Sequence, residues 1–341
     1  MYSWSEDTSD WYGSGSYSYE GGDSAARAAA ALKEASTGPR TYGHRTAPNP
    51  AMIDPHKRIA TQSAHPIIVA VDVTGSMANW PFEIFDRLPL LYNTLSQYKD
   101  DVEICFAAIG DAGVDRWPLQ VTEFAHGYDL EQQLNALYGE GGGGDAPESY
   151  GLFSWWVENH VSTPRADHPF LIVFGDAPMH PTIPRQQVEA LLGDRPEGQG
   201  LLDRIFGNAP AGGSFDSRDC WRRVATKWNT WFLRRPTGRK GDDVDRQWAE
   251  ALGADHVFHI DDEQRAVDYA MGLVARSWGH FEDFQTNLRA RQDEHKVKAV
   301  AEKLRREGPR VLQCPSCGAR IPAEASAGRY VCTYCHSTLE L

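Results

Sequence analysis

The chain has 341 residues, 41% of them hydrophobic and 24% charged, and a formal net charge of −13. That composition is ordinary for a soluble globular protein and excludes wholesale disorder, while the length allows about two domains. The acidic balance argues against nonspecific nucleic-acid binding by the whole molecule, and no apolar run reaches the roughly 18 to 20 residues that a membrane span needs.

Residues 1 to 50 read as a disordered tail. The opening "MYSWSEDTSDWYGSGSYSYEGG" has neither a basic start nor an apolar stretch, so no secretory signal is expected and the expected location is cytoplasmic. A short Ala-rich helix, "DSAARAAAALKEA", follows with Asp23 as its cap. Tyr and Trp interleaved with acids also suit a docking or phosphorylation segment.

From residue 63 to 280, apolar runs alternate with segments of helical length. The runs are "PIIVAVDV", "DVEICFAAIG", "PLQVTEF", "PFLIVFGD", "NTWFLRR" and "DHVFHI". The segments include 82 to 98, 129 to 138, 147 to 160, 243 to 252 and 263 to 278. This alternation predicts an α/β fold with a doubly wound, mostly parallel sheet covered on both faces. The second and third runs suit an antiparallel edge hairpin. Residues 177 to 220, rich in Pro and Gly, interrupt the pattern after a strand end. Residues 281 to 310 then read as a linker formed by one long charged helix. Phe281, Phe284 and Leu288 begin its apolar face, and Val297, Val300, Ala301 and Leu304 continue it. Within 289 to 310, Arg and Lys outnumber Asp and Glu eight to four, which a solvated helix face explains.

"VAVDVTGSM" brings Asp72, Thr74 and Ser76 to the carboxyl end of the first predicted strand, where open α/β sheets bind ligands. A phosphate loop would need more glycine than Gly75 and a lysine before Lys99. Helix capping suits the residue types but does not require acids at other strand ends. Such acids are present: "FLIVFGDAPMH" delivers Asp176, and the glycine-rich "GEGGGGDAPES" delivers Asp145 and Glu148. Carboxylate and hydroxyl oxygens together suit a hard cation, Mg²⁺ by preference. Trp80, Phe82 and Phe85 behind the motif read as helix packing, and His180 as a surface histidine or a general base.

The D-x-T-x-S of "DVTGSM", the "GGGDAPE" loop and the "FGDAPMH" strand end resemble, in order and spacing, the metal-ion-dependent adhesion site (MIDAS) of von Willebrand factor A (VWA) domains, over roughly residues 63 to 280. The resemblance implies a Rossmann-like VWA fold, with the Thr74 and Ser76 hydroxyls as direct ligands, Asp72 in the same motif and Asp176 acting through water. The "DAPE" wording is similar to integrin β-type domains, which implies that Glu148 contacts the metal and Asp145 helps form a neighbouring site. The paired acids of those domains are replaced by Met77, Ala78 and Asn79, so a second metal is not implied. In the family the under-neutralised cation grips an Asp or Glu offered by a protein partner.

Cys105 and Cys220 read as core thiols. Cys314, Cys317, Cys332 and Cys335 form C-x₂-C-x₁₄-C-x₂-C within residues 311 to 341, a spacing that suits a closed tetrahedral Zn²⁺ site. A segment of about 30 residues has little core of its own, so the metal would supply most of its stability. It resembles a zinc ribbon; His336 adjoins the last cysteine as an ordinary exposed residue. The pairing of VWA domain and ribbon is similar to bacterial tellurite-resistance-associated adaptors. The expected function is a cytoplasmic, non-catalytic adaptor that binds a protein partner through Mg²⁺ in a signalling or stress-response assembly. The alternatives are a metal-dependent hydrolase, or nucleic-acid binding through the basic helix and ribbon.

Overall fold

The computed structural model describes residues 40–41, 49–77, 80–127, 129–139, 147–193, 213–235, 241–309, 314–317, 319, 321 and 329–340. The Ala-rich tail helix, Asp145 and the middle of the 177 to 220 insertion lie outside the described residues.

Six short runs of apolar and β-branched residues become the strands of one sheet: β1 (His65–Asp72), β2 (Val102–Ile109), β3 (Leu119–Val121), β4 (Phe170–Gly175), β5 (Asn229–Arg234) and β6 (Val257–His259). Their order is β6-β5-β4-β1-β2-β3. Every neighbouring pair is parallel except β2 and β3, the expected antiparallel hairpin at one edge. Because successive side chains point to opposite faces, the longer strands each feed two cores. Ile67, Val69 and Val71 of β1 enter one, with Ile104 and Phe106 of β2 and Ile172 and Phe174 of β4. Ile68 and Ala70 enter the other, with Cys105 and Val173.

The first core is closed by α1 (Trp80–Leu95), α2 (Asp129–Leu134), α7 (Ala266–Ser277), α8 (Phe281–Arg289) and α9 (Glu294–Glu307). The second is closed by α3 (Tyr150–His160), α4 (Arg185–Leu192), α5 (Ser217–Ala225) and α6 (Gly241–Leu252). The molecule is therefore an α/β, doubly wound, mainly parallel structure. Cys105 and Cys220 are both buried. The described part of the insertion holds α4 and a two-stranded ribbon, Thr182–Pro184 against Ser214–Asp216, and Asp216 then caps α5 by accepting from the backbone N–H groups of Arg218 and Asp219. Residues ahead of 63 also pack. Arg40–Thr41 pairs with Tyr138–Gly139, and Ile53 and Ile59 are buried.

The stretch expected as one long helix is two, α8 and α9, broken at 290–293. The two apolar faces explain the break. Leu288 and Val297 are nine residues apart, about two and a half helical turns, so an unbroken helix would point the second face away from the first. Breaking it lets both pack on α7, and Phe284, Leu288, Val297, Val300 and Leu304 all join the first core. Gln292, in the break, accepts from the buried Arg265 guanidinium at 2.8 Å and donates to the buried Asp268 carboxylate at 3.0 Å. No described helix is long and apolar enough to cross a membrane.

Candidate metal centre

β1 and β4 are neighbours, but the chain leaves β1 toward β2 on one side and leaves β4 toward β5 on the other. Connections diverge there, which opens a crevice beyond the strand ends. Asp72 is the last residue of β1, and Asp176 follows the last residue of β4. After Asp72 the chain turns tightly, because Asp72 Oδ1 accepts from both the Thr74 backbone N–H at 2.9 Å and the Thr74 hydroxyl at 2.6 Å. The Thr74 and Ser76 hydroxyls are 3.3 Å apart, and Ser76 donates to Asp176 Oδ1 at 2.8 Å. Buried Met77 anchors the short 3₁₀ turn, Gly75–Met77, that follows.

The glycine-rich loop ends beside the same crevice. Glu148 is pinned by its backbone: its N–H donates to the Pro178 carbonyl at 2.9 Å, and its carbonyl accepts from the His180 N–H at 3.2 Å. Its side chain is 2% exposed, and Oε2 has no hydrogen-bond partner among the described residues. Asp72, Thr74, Glu148 and Asp176 are thus buried, while Gly75 and Ser76 are exposed at the mouth.

At these carboxylates burial outweighs the nearby positive charge, although Arg235 and Arg234 favour the ionised form of Asp176. Burial, and then the Asp176 charge, push Asp72 up to about 7 against the opposing pull of its Thr74 and Tyr150 hydrogen bonds. Burial and the Asp72 charge raise Glu148 to about 10, and burial raises Asp176. Holding ionised carboxylates together in low dielectric needs a compensating cation. The donor set of carboxylate and hydroxyl oxygens, with a buried carboxylate oxygen left unbonded, fits a hard divalent ion; Asp72, Thr74, Ser76, Glu148 and Asp176 are the residues that would hold it. The three carboxylates do not cluster within 4.8 Å of one another, so hydroxyls and water would have to share the coordination.

Several neighbours escaped the sequence reading. The Tyr150 hydroxyl, fully buried at the start of α3, donates to Asp72 Oδ2 at 2.5 Å. Asp111, buried just past β2, places its carboxylate Oδ1 3.1 Å from His180 Nε2, so His180 has a carboxylate partner. An acid after the apolar "FAAIG" was a signal of the same kind as Asp72 and Asp176. Arg235, just past β5, donates to the Ser76 carbonyl at 2.9 Å, pairs with Glu263 at 2.9 Å and lies 5.7 Å from the Trp80 ring centre. Trp80 and Phe85 are buried, as helix packing requires.

Far along the chain, Cys314, Cys317, Cys332 and Cys335 bring their sulfurs within 4.8 Å of one another. Cys314 and Cys335 are 3.5 Å apart, and Cys317 and Cys332 are 3.7 Å apart. Each C-x₂-C, Cys314 with Cys317 and Cys332 with Cys335, sits on a tight turn, with Cys314 N–H donating to the Ala319 carbonyl at 2.8 Å and Cys332 N–H to the Ser337 carbonyl at 2.9 Å. A short antiparallel pair, Arg329–Val331 with Thr338–Glu340, carries the second turn. Hydrogen bonding with Ser337 pulls the Cys335 thiol down to about 6, while contacts with the other three thiols hold Cys317 up to about 12. Four sulfurs so placed can hold a metal such as zinc.

No protein-family model matches the chain, and no curated protein matches it. Among solved structures it is similar to proximal thread matrix protein 1 from the mussel byssus, with TM-score 0.41 and 12% identity over 63% of this chain and 48% of that one. It is also similar to the pilus adhesin SpaC from Lactobacillus rhamnosus GG, with TM-score 0.40 and 10% identity over 72% of this chain and 31% of that one. A third is the SpRpn10 VWA domain, with TM-score 0.37 and 10% identity over 61% of this chain and 95% of that one. The chain spans less than half the length of the first two.

Proposed function

We propose that the crevice between β1 and β4 is a MIDAS that holds Mg²⁺, and that the bound ion captures a carboxylate from a protein partner. The observation that carries this reading is the buried Glu148 oxygen without a hydrogen-bond partner, facing a hydroxyl and carboxylate relay that reaches the surface at Ser76. Neutral hydroxyls leave a divalent ion electrophilic, and Ser76 lies at the mouth where an outside acid would enter. Glu148 supplies charge of its own, which tempers the ion's appetite for a further acid.

On this reading the protein is a cytoplasmic, non-catalytic adaptor, with a Zn²⁺ ribbon formed by Cys314, Cys317, Cys332 and Cys335 as a second module. The pairing points to a bacterial signalling or stress-response assembly like those of the tellurite-resistance-associated adaptors. The test is affinity capture with Mg²⁺ present, comparing wild type, Asp72→Ala and an EDTA wash, alongside calorimetric Mg²⁺ binding by both proteins. Capture and Mg²⁺ binding lost together in Asp72→Ala are expected. An identical set of partners in all three captures would sink the reading.

Metal-dependent hydrolysis has one observation in its favour, since Asp111 orients His180 as it would a general base. Turnover of a generic phosphoester that depends on both Asp72 and His180 would establish it. The basic stretch gives nucleic-acid binding little support. Arg289, Lys296, Lys298, Lys303, Arg305 and Arg306 each have an acid within 4.0 Å, so a phosphate approaching this face would meet carboxylates beside the cations.

A further inference from the structure

We infer that Tyr150 is a positioning residue for the metal centre: its hydroxyl fixes Asp72 and, from the same ring, ties together the three segments that bring oxygen ligands to the crevice. The inference rests on the metal reading above and adds a residue to it. Tyr150 opens α3 two residues after Glu148, so the loop that delivers one carboxylate is continuous with the helix that restrains another. Its hydroxyl donates to Asp72 Oδ2 at 2.5 Å, while Thr74 occupies Oδ1 with two donors. Both oxygens of Asp72 are thereby engaged, and the carboxylate has one orientation.

A second, independent observation comes from β4. A Cβ on Gly175, the residue before Asp176, would overlap the Tyr150 hydroxyl and press on the Phe232 ring at 3.0 Å. The strand end is bare because the hydroxyl crosses it on the way to Asp72. The ring itself is caged edge-on, with Phe232 at 6.0 Å and Trp248 at 5.1 Å between centroids. A caged ring with one polar tip holds a carboxylate more rigidly than a surface serine or water would. Hydrogen bonds of this kind, one step removed from the ion, are typically worth roughly 10- to 100-fold in metal affinity.

The test uses the full chain supplied with Zn²⁺ for its cysteine site, with Mn²⁺ as the spectroscopic probe at the crevice. Mn²⁺ dissociation constants and the spectrum of bound Mn²⁺ by electron paramagnetic resonance are measured for wild type, Tyr150→Phe and Gly175→Ala. Tyr150→Phe keeps the cage and removes only the hydroxyl; Gly175→Ala keeps the hydroxyl and displaces it. Both are expected to weaken Mn²⁺ binding about 10-fold or more and to broaden its spectrum as Asp72 loses its fixed orientation. A role confined to packing would leave the spectrum of the bound ion superimposable on wild type. Tight wild-type binding with an unchanged constant and spectrum in Tyr150→Phe would overturn the role of Tyr150 alone. A wild type that binds no Mn²⁺ would overturn the metal reading and this inference with it.

Discussion

At the scale of single residues, the crevice is set by buried acids whose folded-state pKa values lie above their ordinary ones. That sign has a consequence for the metal-free protein. A carboxyl raised on folding contributes stability that is fully present below its unfolded pKa and is lost as pH rises through its folded value. For Asp72, raised to about 7, the loss falls between mildly acidic and neutral pH; Glu148, raised to about 10, continues it upward. In EDTA the melting temperature should therefore drop by at least a few degrees between pH 5.5 and 8. Mg²⁺, which favours the ionised forms, should raise the melting temperature little at pH 5.5 and clearly at pH 8. A melting temperature in EDTA that is flat or rises over that range would show that burial does not raise the crevice acids as described. That Asp72, Thr74, Ser76 and Asp176 would meet was legible in the sequence because strand ends fall on one edge of a parallel sheet, so an acid after an apolar run has a predictable address; Glu148 precedes α3 on a loop and was legible only from its motif. Tyr150 was not legible. An aromatic in the first turn of a helix reads as core, and only the packing of α3 across the end of β4 reveals what its hydroxyl meets.

At the scale of elements, the six strands and their winding were legible because continuous apolar runs must be buried on both faces. The division between α8 and α9 was written in the phase of their apolar residues, but spacing within each half looks helical, and only the offset between halves betrays the break. Their docking depends on Gly272 in the middle of α7. A Cβ there would overlap the Leu304 side chain and meet the Phe284 ring at 3.0 Å, so the glycine lets two helices approach a third. Replacing an interior helical glycine gains up to about 1 kcal/mol of helix propensity, whereas overpacking a close contact costs about 1–3 kcal/mol. For Gly272→Val, whose β-branched side chain forgoes part of the propensity gain, the steric cost wins. Urea unfolding should show a net loss of about 0.5–2.5 kcal/mol, the steric cost less the partial propensity gain. Adding Leu304→Ala to that variant should recover part of the loss, since the two changes share one space and do not add independently. Additive losses in the double variant would place the clash elsewhere.

For the molecule as a whole, the arrangement of burial separates two stabilities. The α/β body has two large hydrophobic cores, one on each side of the sheet, and α8 and α9 belong to the first of them. Among the described residues, the ribbon contributes to neither: Cys314, Ile321 and Cys332 are buried, yet none joins a core cluster. Its described strands are three residues each, and Val331 and Tyr334 stand exposed on them and on the adjoining turn. A unit with so little described apolar burial would rely on a metal held by its cysteines for folding, so the ribbon and body should fail separately. Cys335→Ser should lose bound zinc, measured by elemental analysis of the purified protein, and its ribbon amides should exchange hydrogen rapidly. The amides of β1, β2 and β4 should keep wild-type protection, because global stability is set in the cores. If the central strands lost protection together with the ribbon, the cysteine site would be holding the body as well. The helices that lead to it would then have to transmit that stability from the metal to the sheet.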